Sequence, residues 1–154
     1  MATLSGYCTF KEASGFLYSV QFSGSVTTGP KTLIQITAGS ADPLEVVEAA
    51  VGGQSDTADA MEILIARKSG AATSGTSFTP LELNEDGPAA NTSNGTGATG
   101  VLFTSEGTTT DILVRQDVSV QAGGGFYWSA AIAGTRIWVP ASGIISVISN
   151  ITIT

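Results

Sequence analysis

Apolar residues recur at every second position over much of this chain, and that period belongs to half-buried β-strands. From Phe16 onward, Phe16, Tyr18, Val20 and Phe22 fall on one face, while Ser19, Gln21 and Ser23 fall on the other. Thr28-Gly29-Pro30 marks a turn, and Thr32 to Thr37 (TLIQIT) reads as a second, shorter strand. Glu62 to Lys68 has a strongly apolar centre, and Val101 to Thr104 resumes a strand after a long polar stretch. The plainest alternation runs from Asp111 to Val120. There Ile112, Val114, Val118 and Val120 are expected inward with Gln116, and Leu113, Arg115, Asp117 and Ser119 outward. After Gly123-Gly124-Gly125 come Phe126-Tyr127-Trp128 and then Arg136 to Pro140. Ile144 to Ile153 ends the chain with Ile145, Val147, Ile151 and Ile153 on one face.

Three stretches depart from that pattern. Residues 1–14 show no sustained period and read as an extended arm carrying Leu4, Tyr7 and Phe10. Residues 42–52 admit two readings. Asp42 could cap a helix with Pro43 in its first turn and Glu45 closing a capping box, yet the segment is under three turns and its neighbours read as strands. Residues 84–100 form the longest turn-rich stretch, with Asp86-Gly87-Pro88 and Asn94-Gly95 inside it, and are expected to be exposed and mobile. Roughly eight to ten short strands at this spacing, without an internal repeat, predict an all-β fold. The expected architecture is an antiparallel β-sandwich, jelly-roll-like, with an N-terminal arm (1–14) and one domain (15–154).

Composition narrows the chemistry. The 154 residues hold 42% apolar and only 12% charged side chains, with 19 Gly, so Ser and Thr supply much of the polar surface. There is no His, which excludes Ser-His-Asp and Cys-His nucleophile systems and His-ligated metals. Cys8 is the one cysteine and has no internal partner; with only Lys11 nearby to lower its pKa, it reads as a buried or incidental thiol. The net charge of −7, with six scattered basic residues, leaves no footprint for nucleic acid and disfavours an anionic membrane surface. No apolar run approaches the length of a spanning helix, and the N-terminus has no signal-peptide pattern. No nucleic-acid or membrane partner is therefore expected.

Candidate sites are few. Asp42, Glu45 and Glu48, and likewise Asp56, Asp59 and Glu62, recur at three-residue intervals but lack the pattern of a calcium loop, and read as solvated acidic edges. Glu85-Asp86 with Asp111 or Asp117 would need a sugar cleft between them to serve as glycosidase carboxylates, and no aromatic cluster surrounds either. Gly123 to Gly125 is no phosphate cradle, because no Lys-Ser/Thr and no helix start follow. Phe126, Tyr127, Trp128 and Trp138 gather aromatic surface late in the chain, suited to a core or an interface. No enzyme activity, metal or cofactor is expected.

Taken in order, several segments resemble the small β-sandwich decoration (cement, or minor capsid) proteins of tailed bacteriophages. They are Thr32 to Ile36, Pro43 to Val51, Glu62 to Lys68, Gly75 to Leu83, Gly125 to Trp128 and Ile137 to Pro140. The likeness covers about residues 16–154 and leaves the N-terminal segment unmatched. It implies a jelly roll in which 43–51 is a strand, no catalytic residues, assembly as a homotrimer, and a place on the outer surface of the virion bound to the major capsid protein. Leu4, Tyr7, Phe10, Phe126 and Trp128 are the candidate assembly contacts. Two other classes stand beside this one: a phage tail, fibre or surface module that binds host carbohydrate through an aromatic groove, and an enzyme-accessory carbohydrate-binding domain.

Overall fold

The computed structural model describes residues 2–27, 29–55, 60–93, 98–119 and 123–152. Its long strands are β1 (Ala2–Glu12), β2 (Leu17–Val26), β3 (Lys31–Thr37), β4 (Leu44–Ser55) and β5 (Ala60–Lys68) in the first part of the chain. Three short strands follow, β6 (Thr76–Ser77), β7 (Leu81–Glu82) and β8 (Gly100–Val101). Then come β9 (Thr109–Ser119), β10 (Gly125–Ser129), a single helical turn α1 (Ala130–Ala133), β11 (Ile137–Val139) and β12 (Ile144–Thr152).

The strands form two antiparallel sheets packed face to face as a β-sandwich. The first runs β10-β4-β1-β2-β7, with β11 also on β4; the second runs β6-β8-β3-β12-β5-β9. Between them lies one core, filled by the inward positions of both sheets, among them Leu4, Phe10, Tyr18, Val20, Leu33, Ile36, Ile63 and Val147. Each such side chain contributes roughly 1.5–3 kcal/mol by leaving water. Within that core the rings of Phe10 and Tyr18 stack at 5.5 Å, and the Tyr18 hydroxyl donates to the Pro88 carbonyl at 2.9 Å.

The segment expected as an arm is instead the centre of the first sheet. β1 pairs along its length with β2 on one side and β4 on the other, from Ala2 opposite Val26 and Ser55 to Lys11 opposite Leu17 and Glu45. Its inward positions do alternate, as Ala2, Leu4, Gly6, Cys8, Phe10 and Glu12, but small and polar residues hold four of the six and mute the hydrophobic signal. At Gly6 the reason is steric: a Cβ would sit 2.9 Å from a ring carbon of Phe22 and closer still to the Ala50 carbonyl oxygen.

Residues 44–55 are a strand, as the resemblance implied, paired on both edges. The β9 alternation holds only in part. A bulge against Ile65–Ala66 skips Leu113, so Val114 and Val118 keep the core phase while Ile112 turns out and is 46% exposed. Val120 and Ile153 lie outside the described residues.

β3 is buried on both faces: β8 and the residues after it pair along one edge, while Ala72, Ala98 and Glu106 bond to its outward side chains. Buried Gln35 ties these segments down, accepting from Ala72 N–H and donating to the Ala98 carbonyl, each at 2.9 Å. Beside it, buried Lys68 donates to Thr32 Oγ1 at 2.6 Å and pairs with Glu106 at 3.0 Å, so its charge is matched where it leaves water. Of the stretch 84–100, expected to be exposed, 84–93 is mostly exposed, Thr99 and Gly100 are buried where β8 joins the second sheet, and 94–97 lie outside the described residues. The exposed part is anchored, since Asn84 accepts from Leu17 N–H and Asn91 donates to Glu12 and to Asp42.

Candidate outer-face site

Of the five residues expected at assembly contacts, four are spent on the core. Leu4 and Phe10 are fully enclosed, and Phe126 and Trp128 are nearly so, because the odd-even phase of β1 and β10 turns all four inward. They offer no surface to a partner. Of the five, only Tyr7 points outward.

The outer face of the first sheet is where exposed aromatic and polar groups meet. The register places Tyr7 and Tyr127 on either side of Ala50, in one row across β1, β4 and β10. One row away, Glu48 accepts a 3.0 Å hydrogen bond from the Tyr127 hydroxyl. Burial, the Glu48 charge and a Glu48 hydrogen bond raise the Tyr7 hydroxyl above its ordinary pKa. The carboxylate is thus held between two phenols.

Further along the same face, Trp138 on β11 stands opposite Glu45, and Glu45 stands opposite Lys11. Arg136 lies 3.6 Å from Glu45 but is 79% exposed, so this pair contributes little.

Glu45 and Glu48 share this face only because β4 is irregular. Thr9 pairs with Glu48 and Phe10 with Val46, which leaves Val47 as an extra residue. Without it two positions three apart would face opposite ways.

Two recesses complete the face. One, of about 470 Å³, is lined by Thr3, Ser5, Gly52, Gly53, Gln54 and Gly123. The other, of about 220 Å³, is lined by Lys11, Glu12, Ala13, Glu45 and Trp138. At Gly52 a Cβ would meet nothing within 4 Å, so the floor is open there.

At the opposite margin of the sheet the character changes. Leu17 on β2 is part-exposed, Leu81 on β7 pairs with outward Ser19 and is 49% exposed, and Leu83 is 53% exposed, its N–H donating to the Leu17 carbonyl. By alternation the three share the outward side, forming a small apolar edge.

The remaining sequence candidates do not converge. Asp42 bonds Asn91, while Glu85 and Asp86 are exposed in the turn after β7 and Asp111 and Asp117 are exposed on β9 in the other sheet. Asp56 and Asp59 lie outside the described residues. Among the described residues no three acidic or Cys side chains gather to hold a metal, and no helix is long and apolar enough to cross a membrane. Cys8 is buried, and its thiol is pushed up to about 12 by burial and then by the Glu48 charge.

Sequence reading missed Tyr127 and Trp138 as a distinct outward pair, although the alternation of Phe126-Tyr127-Trp128 contains the signal. The bulge at Val47, which aims Glu48, leaves no mark in composition or spacing. No family model, curated protein or solved structure matches the chain.

Proposed function

We propose that this protein is a non-catalytic structural module that decorates the outer surface of a phage capsid, docking on the major capsid protein and associating as a homotrimer. The observation that carries the proposal is the apolar edge formed by Leu17, Leu81 and Leu83 on a charge-poor sandwich. Such an edge loses little on leaving water and needs few ions desolvated when subunits meet. A two-residue edge strand also leaves the neighbouring β2 backbone largely open to further contact.

The strand order supports the jelly-roll form of the sandwich. If β2 is counted first among the eight long strands and β1 last, the sheets read first-last-third-sixth and second-seventh-fourth-fifth. That is the order of two interleaved Greek keys, with the chain opened between its last two strands. The N-terminal segment is part of the sheet and reaches no partner as an arm; the apolar edge is the docking surface in its place.

Light scattering on the purified protein, with co-sedimentation against heads lacking it, tests the proposal. A trimer that pellets with heads is expected, and Leu81→Asp with Leu83→Asp should abolish one or both while the fold is retained. A monomer that stays in the supernatant with intact heads would refute it.

A further inference from the structure

Between the two recesses the outer face of β4 forms a strip, the groove, that lies across the sheet from the apolar edge, and nothing in the proposed docking uses it. Its floor is made of small residues, Ala50 and Gly52. Two aromatic rings stand in it, Tyr127 at 49% and Trp138 at 47% exposed. They pair with positions that Tyr7 and Lys11 mark on β1, four residues apart, hence roughly 13 Å at about 3.3 Å per residue. Between and beyond them are hydrogen-bonding groups: the Glu48 carboxylate, already oriented by Tyr127, and Gln54 with Thr3 and Ser5 around the larger recess.

We propose that this groove binds a neutral glycan chain laid along β4, with sugar rings against Tyr127 and Trp138 and sugar hydroxyls donating to Glu48. Exposed aromatic rings beside hydrogen-bonding side chains suit a ligand that has flat C–H faces and polar rims, and α1, which packs on β10 and β4 with Ile132 79% exposed, adds aliphatic surface at the same margin. A purely apolar ligand would strip water from Glu45, Glu48 and Gln54 without replacing the hydrogen bonds that water makes to them.

Charge sets the class more narrowly. Two carboxylates, Glu45 and Glu48, border the groove against Lys11 and the largely solvated Arg136, on a chain of net charge −7. Nucleic acids and acidic polysaccharides are therefore disfavoured. Addition of a peptide strand is also disfavoured, because the groove is a face rather than an edge: β4 is paired to β1 on one side and to β10 and β11 on the other. The bulge at Val47 adds an independent pointer, since it aims Glu48 into the groove at the expense of a regular ladder.

The test is binding of the full chain to a printed array of neutral and anionic oligosaccharides, followed by titration calorimetry with the best array ligand. Binding to at least one neutral class is expected. Tyr127→Ala and Trp138→Ala should each weaken it on the order of tenfold, and Leu81→Asp should leave it unchanged. Both aromatic variants are expected to keep the parent's thermal unfolding, because both rings are half in water. Retained head binding by Trp138→Ala would separate this site from the docking edge. No binding to any neutral glycan, a preference for anionic ones, or affinity that survives the Tyr127→Ala/Trp138→Ala double variant in a folded protein would overturn the inference.

Discussion

Glu45 and Glu48 leave the same face of β4 although three residues separate them, because Val47 is an extra residue opposite the Thr9–Phe10 step of β1. The same irregularity sends Val46 and Ala49 both into the core, each fully buried. Deleting Val47 would restore a regular ladder and turn one carboxylate, or the Leu44 and Val46 pair, to the wrong side. The expected cost is on the order of 3 kcal/mol or more in urea unfolding, from a buried charge or exposed core side chains. A deletion variant within about 0.5 kcal/mol of the parent, the range of ordinary surface changes, would show that the bulge carries no such constraint.

β1 holds the sheet together rather than reaching away from it. Phe10→Ala removes a fully buried ring stacked on Tyr18, and about 3–5 kcal/mol of stability should go with it. Removing residues 2–12 should abolish folding altogether, since β2 and β4 would each lose a long paired neighbour. Circular dichroism and urea unfolding read both effects. A truncated protein that keeps its sheet spectrum and cooperative unfolding would contradict this place for β1.

The Cys8 thiol, held up at about 12 and fully enclosed, has almost no thiolate at neutral pH and no path to solvent. Iodoacetamide is expected to leave the native protein unmodified over hours and to add one group after denaturation, as read by intact mass. Rapid labelling of the folded protein would contradict the enclosed position.

Glu12 couples stability to pH. Burial raises its pKa most, the Asn91 N–H opposes that, and the Asp42 charge adds to the rise. The folded protein therefore holds this proton to a higher pH than the unfolded chain does. The stability Glu12 contributes is complete below the ordinary carboxylate range and is lost as pH rises through its raised value. Glu12→Gln keeps an oxygen for the Asn91 N–H, and should flatten that part of the stability profile in urea unfolding at several pH values. An unchanged slope in the variant would assign the pH dependence to other groups.

How much the sequence disclosed depends on what fills the inward positions. β2 was legible because Tyr18, Val20 and Phe22 are large and apolar at every second place. β1 has the same period and was not legible, because Gly6, Cys8 and Glu12 stand where bulky residues usually mark a core. Ile112 was assigned to the wrong face because a bulge reverses the phase of β9, and a bulge depends on the partner strand rather than on local sequence. The groove was hidden for the same reason. Tyr127, Glu48 and Tyr7 come from strands far apart in the chain, and only the pairing of β1, β4 and β10 sets them side by side.

The central claim is attachment to the outside of a phage head, and electron cryo-microscopy of particles made with and without this chain tests it most directly. The account expects sandwich-sized density on the outer capsid surface at three-fold or quasi-three-fold positions, absent from particles lacking the chain. Density inside the head, density confined to the tail, or identical outer surfaces in the two preparations would contradict it.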